Sequence, residues 1–205
     1  MPGTPNAADG AASAGSDFFT TQKLLARPRL ARFYTDLLIN SPTTIPEARE
    51  RLDMEKSTAH KYSNELAEMG IAESSDEHRD GAAVWEATPI DGVWHGTATF
   101  EVGPTVFAVF GAQTIDEDIE MFTDRHGEAL LPAAIVETIH YLEGRQTRRG
   151  VADALDVHAV EGVAISQAVE RIIGVVGPGD PTIDMSAFEV EIHEQALAEA
   201  PYIRD

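Results

Sequence analysis

Apolar residues recur along this chain at helical spacing more often than at strand spacing. Phe18, Phe19, Leu24 and Leu25 form a first stripe near Asp17, and Leu30, Phe33, Tyr34, Leu37 and Leu38 form the next. Pro28 opens that second helix and Asn40, Ser41 and Pro42 close it. Thr44 is the expected N-cap of a short helix to about Leu52, with Pro46 in its first turn and Glu47 three residues on. After a turn over Asp53 to Lys56, a third helix is predicted from Ser57 to Met69, and Gly70 is placed to end it in the left-handed conformation. Ile71 to Glu73 and Ala83 to Ala87 read as short strands joined by the polar stretch Ser74 to Gly81.

Beyond that point, "PTVFAVFGAQ" is a short helix from Pro104 or a buried strand over Val106 to Phe110. Ile115, Ile119 and Phe122 are the apolar side of an acidic run, Asp116 to Glu120, which lacks the glycine and the final ligand of a calcium loop and reads as a solvated helix face. From Glu128 the earlier plan returns. A helix with Leu131, Ile135, Ile139 and Leu142 ends at Gly144, Thr147 caps a helix through Leu155, and a third runs from about Ala159 to Ile173. "GVVGPGDP" is a turn-rich linker, and "SAFEVEIHE" alternates like an amphipathic strand that would pair with "TATFEV".

Charge divides the chain. Lys and Arg number 15 against 35 Asp and Glu, for a net charge of -20 in 205 residues without cysteine. Arg27 to His95 carries 8 basic and 13 acidic residues, net -5, whereas Gly96 to Asp205 carries 6 and 20, net -14. We therefore expect a disordered tail over residues 1–16, one domain over 17–95 and another over 96–205. Only Lys23, Lys56 and Lys61 are lysines, the other 12 basic residues being arginine. An acidic surface so poor in lysine fits a cytoplasm filled with molar salt, where repulsion between carboxylates is screened within a few Å. The alternative is an acidic protein that repels nucleic acid at low salt. No apolar run reaches the roughly 18 residues of a membrane helix, and Met1 to Asp17 lacks the basic and apolar segments of a signal peptide, so a cytoplasmic location without membrane contact is expected.

The segment "TTIPEARERLDMEKSTAHKYSNELAEMGIAE", followed by "VWEATPI" after a charged loop, resembles the winged helix-turn-helix of archaeal and bacterial transcription regulators. "KSTAHKYSNELAEMGI" is similar to their recognition helix and Ser74 to Gly81 to their wing. The later helices resemble the C-terminal half of haloarchaeal regulators of this type. The fold class implied is mainly α with a small β-wing: an N-terminal winged helix-turn-helix and a mostly helical C-terminal domain containing a degenerate helix-turn-helix-like unit.

Residue chemistry points the same way. At about 100° per residue, Ala59, Tyr62, Leu66 and Met69 share one face of the third helix, and Ser57, His60, Lys61 and Asn64 the other. Lys56, His60 and Lys61 crowd its N-terminal half, against the helix dipole, an inversion that phosphates at that end would reward. Asn64 suits a base edge, Lys61 a guanine or phosphate, and Ser57 and Thr58 phosphates. Arg27, Arg29 and Arg32 are candidate backbone contacts, and Arg79 either enters the minor groove or pairs with nearby acids. The plain alternative is a solvated face, or a winged helix that binds protein.

Superimposing "ERLDM" on "DALDV" sets an offset of 103 residues and replaces Ser57, His60, Lys61 and Asn64 by Val160, Val163, Ala164 and Gln167. A face so changed suits a dimer or partner interface, or plain core, rather than DNA. Arg145, Arg148 and Arg149 touch phosphate or pair with acids. The seven histidines show no metal-ligand spacing and no phosphate loop is present. The expectation is a homodimeric regulator of double-stranded DNA, not an enzyme, with no cofactor or metal, and with no class of small-molecule effector indicated.

Overall fold

The computed structural model describes residues 18–95, 99–192, 200 and 202. The predicted tail, residues 1–16, lies outside them. Residues 18–25 form helix α1, followed by α2 (Pro28–Ile39), strand β1 (Thr43–Thr44), α3 (Ile45–Arg51), α4 (Lys56–Glu68), β2 (Ala72–Arg79) and β3 (Ala82–Ala87). Strands β4 (Gly92–His95) and β5 (Thr99–Val102) lead to α5 (Pro104–Ala112), α6 (Glu117–His126), α7 (Leu131–Leu142), α8 (Arg148–Leu155) and α9 (Ala159–Val176). The chain is mainly α, with a small antiparallel sheet ordered β1-β3-β2 and a separate β4-β5 pair.

Local chemistry accounts for most boundaries. Thr44 caps α3 through a reciprocal pair of bonds: its Oγ1 accepts from Glu47 N at 3.4 Å, and Glu47 Oε2 accepts from Thr44 N at 2.8 Å. Gly70, at φ 72°, ends α4 as expected. Pro28 occupies the first turn of α2, whose Leu30, Phe33, Tyr34 and Leu37 are buried. Phe18 and Phe19, in contrast, are exposed, and Leu24, with Leu25 beside it, packs α1 on the core.

Three expectations change. The stretch Ser74 to Gly81 is not an open loop: β2 runs to Arg79, and Asp80 (φ 52°) and Gly81 (φ 80°) make a two-residue turn into β3. Positive φ at both central residues matches the right-handed twist of the paired strands. The second change concerns α5, which is helical with all nine residues buried. A helix covered on every side has no polar face, so its sequence carries no period by which to tell it from a strand.

The third is the tail of the second half. "SAFEVEIHE" forms no strand over its described residues and does not meet β5, which pairs with β4 from Gly92↔Val102 to His95↔Thr99. Glu189 N and Val190 N instead both donate to Leu142 O, at 2.8 and 2.9 Å, satisfying an orphan carbonyl at the end of α7. Phe188, Val190 and Ile192 still pack against the core, so the alternation is real but its partner is a helix end. His193 and Glu194 lie outside the described residues.

One hydrophobic cluster runs from Leu24 to Val176. Its seam is α2 against α5, where a Cβ on Gly111 would overlap the backbone of Arg32. Tyr34 stands at this seam, edge-on to Phe107 with ring centroids 5.8 Å apart. Its Oη donates to Thr88 O at 2.8 Å and accepts from Ile90 N at 3.1 Å, tying the chain after β3 to α2.

The internal repeat is visible in the helix boundaries. The starts of α2, α3 and α4 at residues 28, 45 and 56 become those of α7, α8 and α9 at 131, 148 and 159, a constant step of 103. Thr44 and Thr147 are both N-caps, and Asp53 and Asp156 both adopt positive φ, 49° and 54°. The second half thus contains a helix-turn-helix-like unit that is followed by no hairpin among the described residues.

Candidate nucleic-acid interface

Helix α4 turns its faces as its sequence dictates. Ala59, Ser63 and Leu66 are buried, Tyr62 and Met69 are half-buried, and Lys56, Ser57, His60, Lys61 and Asn64 are exposed. Thr58 is half-buried at the edge of this face. Ser63 hides its hydroxyl by donating to His60 O at 3.0 Å, which lets a polar residue sit on the inner side. Glu55 precedes the helix without a side-chain cap, and no acid lies in the first turn, so the N-terminal amides of α4 remain open to an anion.

Helix α3 is held in place by charge. Arg51 donates from Nε and Nη2 to the two oxygens of Asp36 at 3.0 and 2.8 Å, and from Nη2 to Thr43 Oγ1 at 3.0 Å. This fork clamps α3 and β1 to α2. Burial pushes the Asp36 carboxyl above its ordinary pKa, against the opposing pull of Arg51. Neither residue is singled out by sequence reasoning, because their pairing depends on the angle at which two helices cross.

The predicted cations divide into two groups. Arg27 Nη1 lies 2.6 Å from Glu65 Oε2, and its guanidinium covers the ring of Tyr62 at 5.5 Å. Tyr62 in turn meets Phe33 edge-on at 5.8 Å. Arg27 is therefore a brace between α4 and the start of α2. Arg79 is the last residue of β2, next to the Asp80–Gly81 turn at the tip of the hairpin, and its Nη1 reaches both oxygens of Glu47 at 3.2 Å. Its partner is Glu47, the third residue of α3 and the second member of its capping pair, not the acids beside it in sequence. The Thr44 backbone N–H, with help from Arg79, holds the Glu47 carboxyl down to about 2.

Lys56, Lys61 and Arg29 are exposed and form no ion pair among the described residues. Arg29 and Thr58 come together on a cleft of about 270 Å³ beside the start of α4, which Asp53, Glu55 and Thr114 also line.

In the second unit, Val160 is 70% exposed, Gln167 is exposed, and Val163 and Ala164 are half-buried. Helix α6 shields part of this face, with Arg125 paired to Glu161 and His126 Nε2 3.2 Å from Glu161 Oε2. Arg148 lies 2.5 Å from Glu170 and over the ring of Tyr141 at 4.6 Å, Arg145 pairs with Glu143, and Arg149 is exposed.

Residues 113–176, which span α6 to α9, match the model of DUF7437, a family of unknown function. No curated protein and no solved structure matches the chain. Among the described residues no helix is long and apolar enough to cross a membrane.

Proposed function

We propose that the chain is a winged helix-turn-helix transcription regulator of haloarchaeal type that reads double-stranded DNA as a homodimer in a high-salt cytoplasm. Helix α4 enters the major groove and the β2–β3 hairpin is the wing. One observation carries the reading: in a chain of net charge -20, Lys56 and Lys61 stand exposed without an ion pair among the described residues, on the same helix face as Ser57, His60 and Asn64. A solvated surface rich in carboxylates would be expected to pair them. Asn64 reads a base edge, Lys61 a guanine or phosphate, and Ser57, Thr58 and Arg29 hold the backbone. The second unit supplies the dimer interface through the exposed Val160.

A second reading, a winged-helix interaction module or scaffold that does not read DNA, draws on the internal pairing of Arg27 and Arg79, which engages two of the candidate cations with carboxylates of the chain itself. Binding to the region upstream of the chain's own gene, followed by anisotropy in about molar KCl, separates the two. Lys61→Ala with Asn64→Ala should weaken that binding about 100-fold, two contacts of about 1–3 kcal/mol each. Unchanged affinity would favour the interaction module.

A further inference from the structure

Among the described residues the large apolar side chains left exposed are Phe18, Phe19, Met121 and Val160. Val160 belongs to the dimer face proposed above; the others stand on α1 and α6. On α1, Phe19 is 69% exposed and shares one stripe with the exposed Gln22 and the half-buried Lys23, three and four residues on. Phe18 meets the Phe19 ring edge-on at 5.7 Å. On α6, Met121 is 57% exposed and stands among the exposed acids Glu117, Glu120 and Asp124, of which the first and last lie a helical turn to either side.

The two stripes carry opposite charge. No acid occurs from Phe18 to Thr35, a stretch that holds Lys23, Arg27, Arg29 and Arg32 in a chain of net charge -20. Arg27 is engaged by Glu65, but Lys23 forms no ion pair among the described residues, and neither do Glu117, Glu120 and Asp124. The neighbouring acids Asp116 and Asp118 are held by Arg171 within the chain, at 3.0 and 3.7 Å. A single exposed apolar residue needs no explanation. Here an aromatic side chain beside an unpaired lysine is matched by a methionine beside three unpaired acids. The two stripes do not cover each other within one chain, since Phe19 and Met121 are both open to solvent.

We infer that α1 of one copy docks on α6 of a second copy, with Phe19 against the Met121 thioether and Lys23 among Glu117, Glu120 and Asp124. Aromatic rings and thioether sulfur make favourable contacts, and opposite potentials fix the register. Two-fold symmetry repeats the contact, α6 of the first copy receiving α1 of the second, so the assembly closes at two chains. Helix α6 is itself fixed to α9 through Arg125 and His126 on Glu161, the residue after Val160. Met121 lies one turn before Arg125, so the α6 stripe runs toward the exposed valine. This docking rests on the homodimeric part of the functional reading above and holds whether or not α4 reads DNA.

The chain has no cysteine, so an introduced thiol reports on its own position alone. Gln22→Cys and Glu120→Cys chains, which keep Phe19 and Met121, are mixed in about molar KCl, treated with a short bismaleimide and analysed by peptide mass. Crosslinks between positions 22 and 120 should exceed those between Gln22→Cys and Glu77→Cys, a control thiol on the exposed β2, about tenfold, because docking raises the local concentration of one thiol at the other. By light scattering, Phe19→Asp should raise the dimer dissociation constant about 30-fold, the loss of an aromatic anchor, and Lys23→Glu about fivefold. A dimer that gives no 22–120 crosslink above the control, or that forms as tightly in Phe19→Asp, overturns this docking while the homodimer stands, and leaves the α1 stripe to an acidic partner of another kind. A wild-type chain that stays monomeric overturns both.

Discussion

Helices α2–α4 and α7–α9 follow one backbone plan with opposite surfaces. Both units start their second helix on a threonine cap, both turn through an aspartate of positive φ, and both bury the leucine before it, Leu52 and Leu155. They diverge in what covers the third helix. Helix α4 packs inward on a narrow strip and leaves a polar face in solvent. Helix α9 is five residues longer and packs against α5, α6, α7 and α8, with Ile165, Val169, Ile172 and Ile173 buried. The Asp36–Arg51 clamp of the first unit has Ile139 and Ala154 at the corresponding positions of the second. Caps and turns thus set the shared plan, while a few outward residues decide whether the third helix is a surface or a core element.

That contrast can be broken in stages. The largest effect expected is on assembly: Val160→Asp places a charge on the most exposed apolar site of α9 and should convert the proposed dimer to a monomer by light scattering, with thermal stability unchanged. An unchanged mass would remove the second unit from the interface. Next comes the helix crossing. Gly162 corresponds to Ala59, but a Cβ there would overlap the Ala152 backbone, so α9 approaches α8 closely. Gly162→Ala should cost about 1–3 kcal/mol in urea unfolding through overpacking; no cost would mean that the two crossings are equivalent.

The smallest effect is in acid. The folded Glu47 carboxyl is held at about 2 against an ordinary 4.5, so its contribution is fully present above 4.5 and is lost as pH falls through about 2. Gly150 stands at the corresponding place in α8, so the second unit has no such group. Glu47→Gln should flatten the dependence of the urea midpoint on pH across that window, and an acid limb identical to the wild type would assign the loss to other carboxylates.

Much of this was legible without coordinates because its causes are local. The Thr44 and Glu47 capping pair, the Gly70 terminus, the polar face of α4 and the 103-residue step each depend on residues within a few positions of one another. The hairpin was half legible: the polar composition of Ser74 to Gly81 points to a loop, yet Asp80-Gly81 is itself a two-residue turn signal between strands. The fates of Arg27 and Arg79 were not legible, since their partners Glu65 and Glu47 lie 38 and 32 residues away. The helical state of α5 and the seat of "SAFEVEIHE" on the end of α7 likewise arise where distant segments meet. The sequence by itself determined the two helix-turn-helix plans, the polar face of α4 and the charge contrast between halves, because periodicity and capping act within one or two turns. Only the tertiary structure decided which arginines are paired and with what, which helix is buried on all sides, and where the segment after α9 is seated, because burial and pairing are set by the packing of segments far apart in the chain.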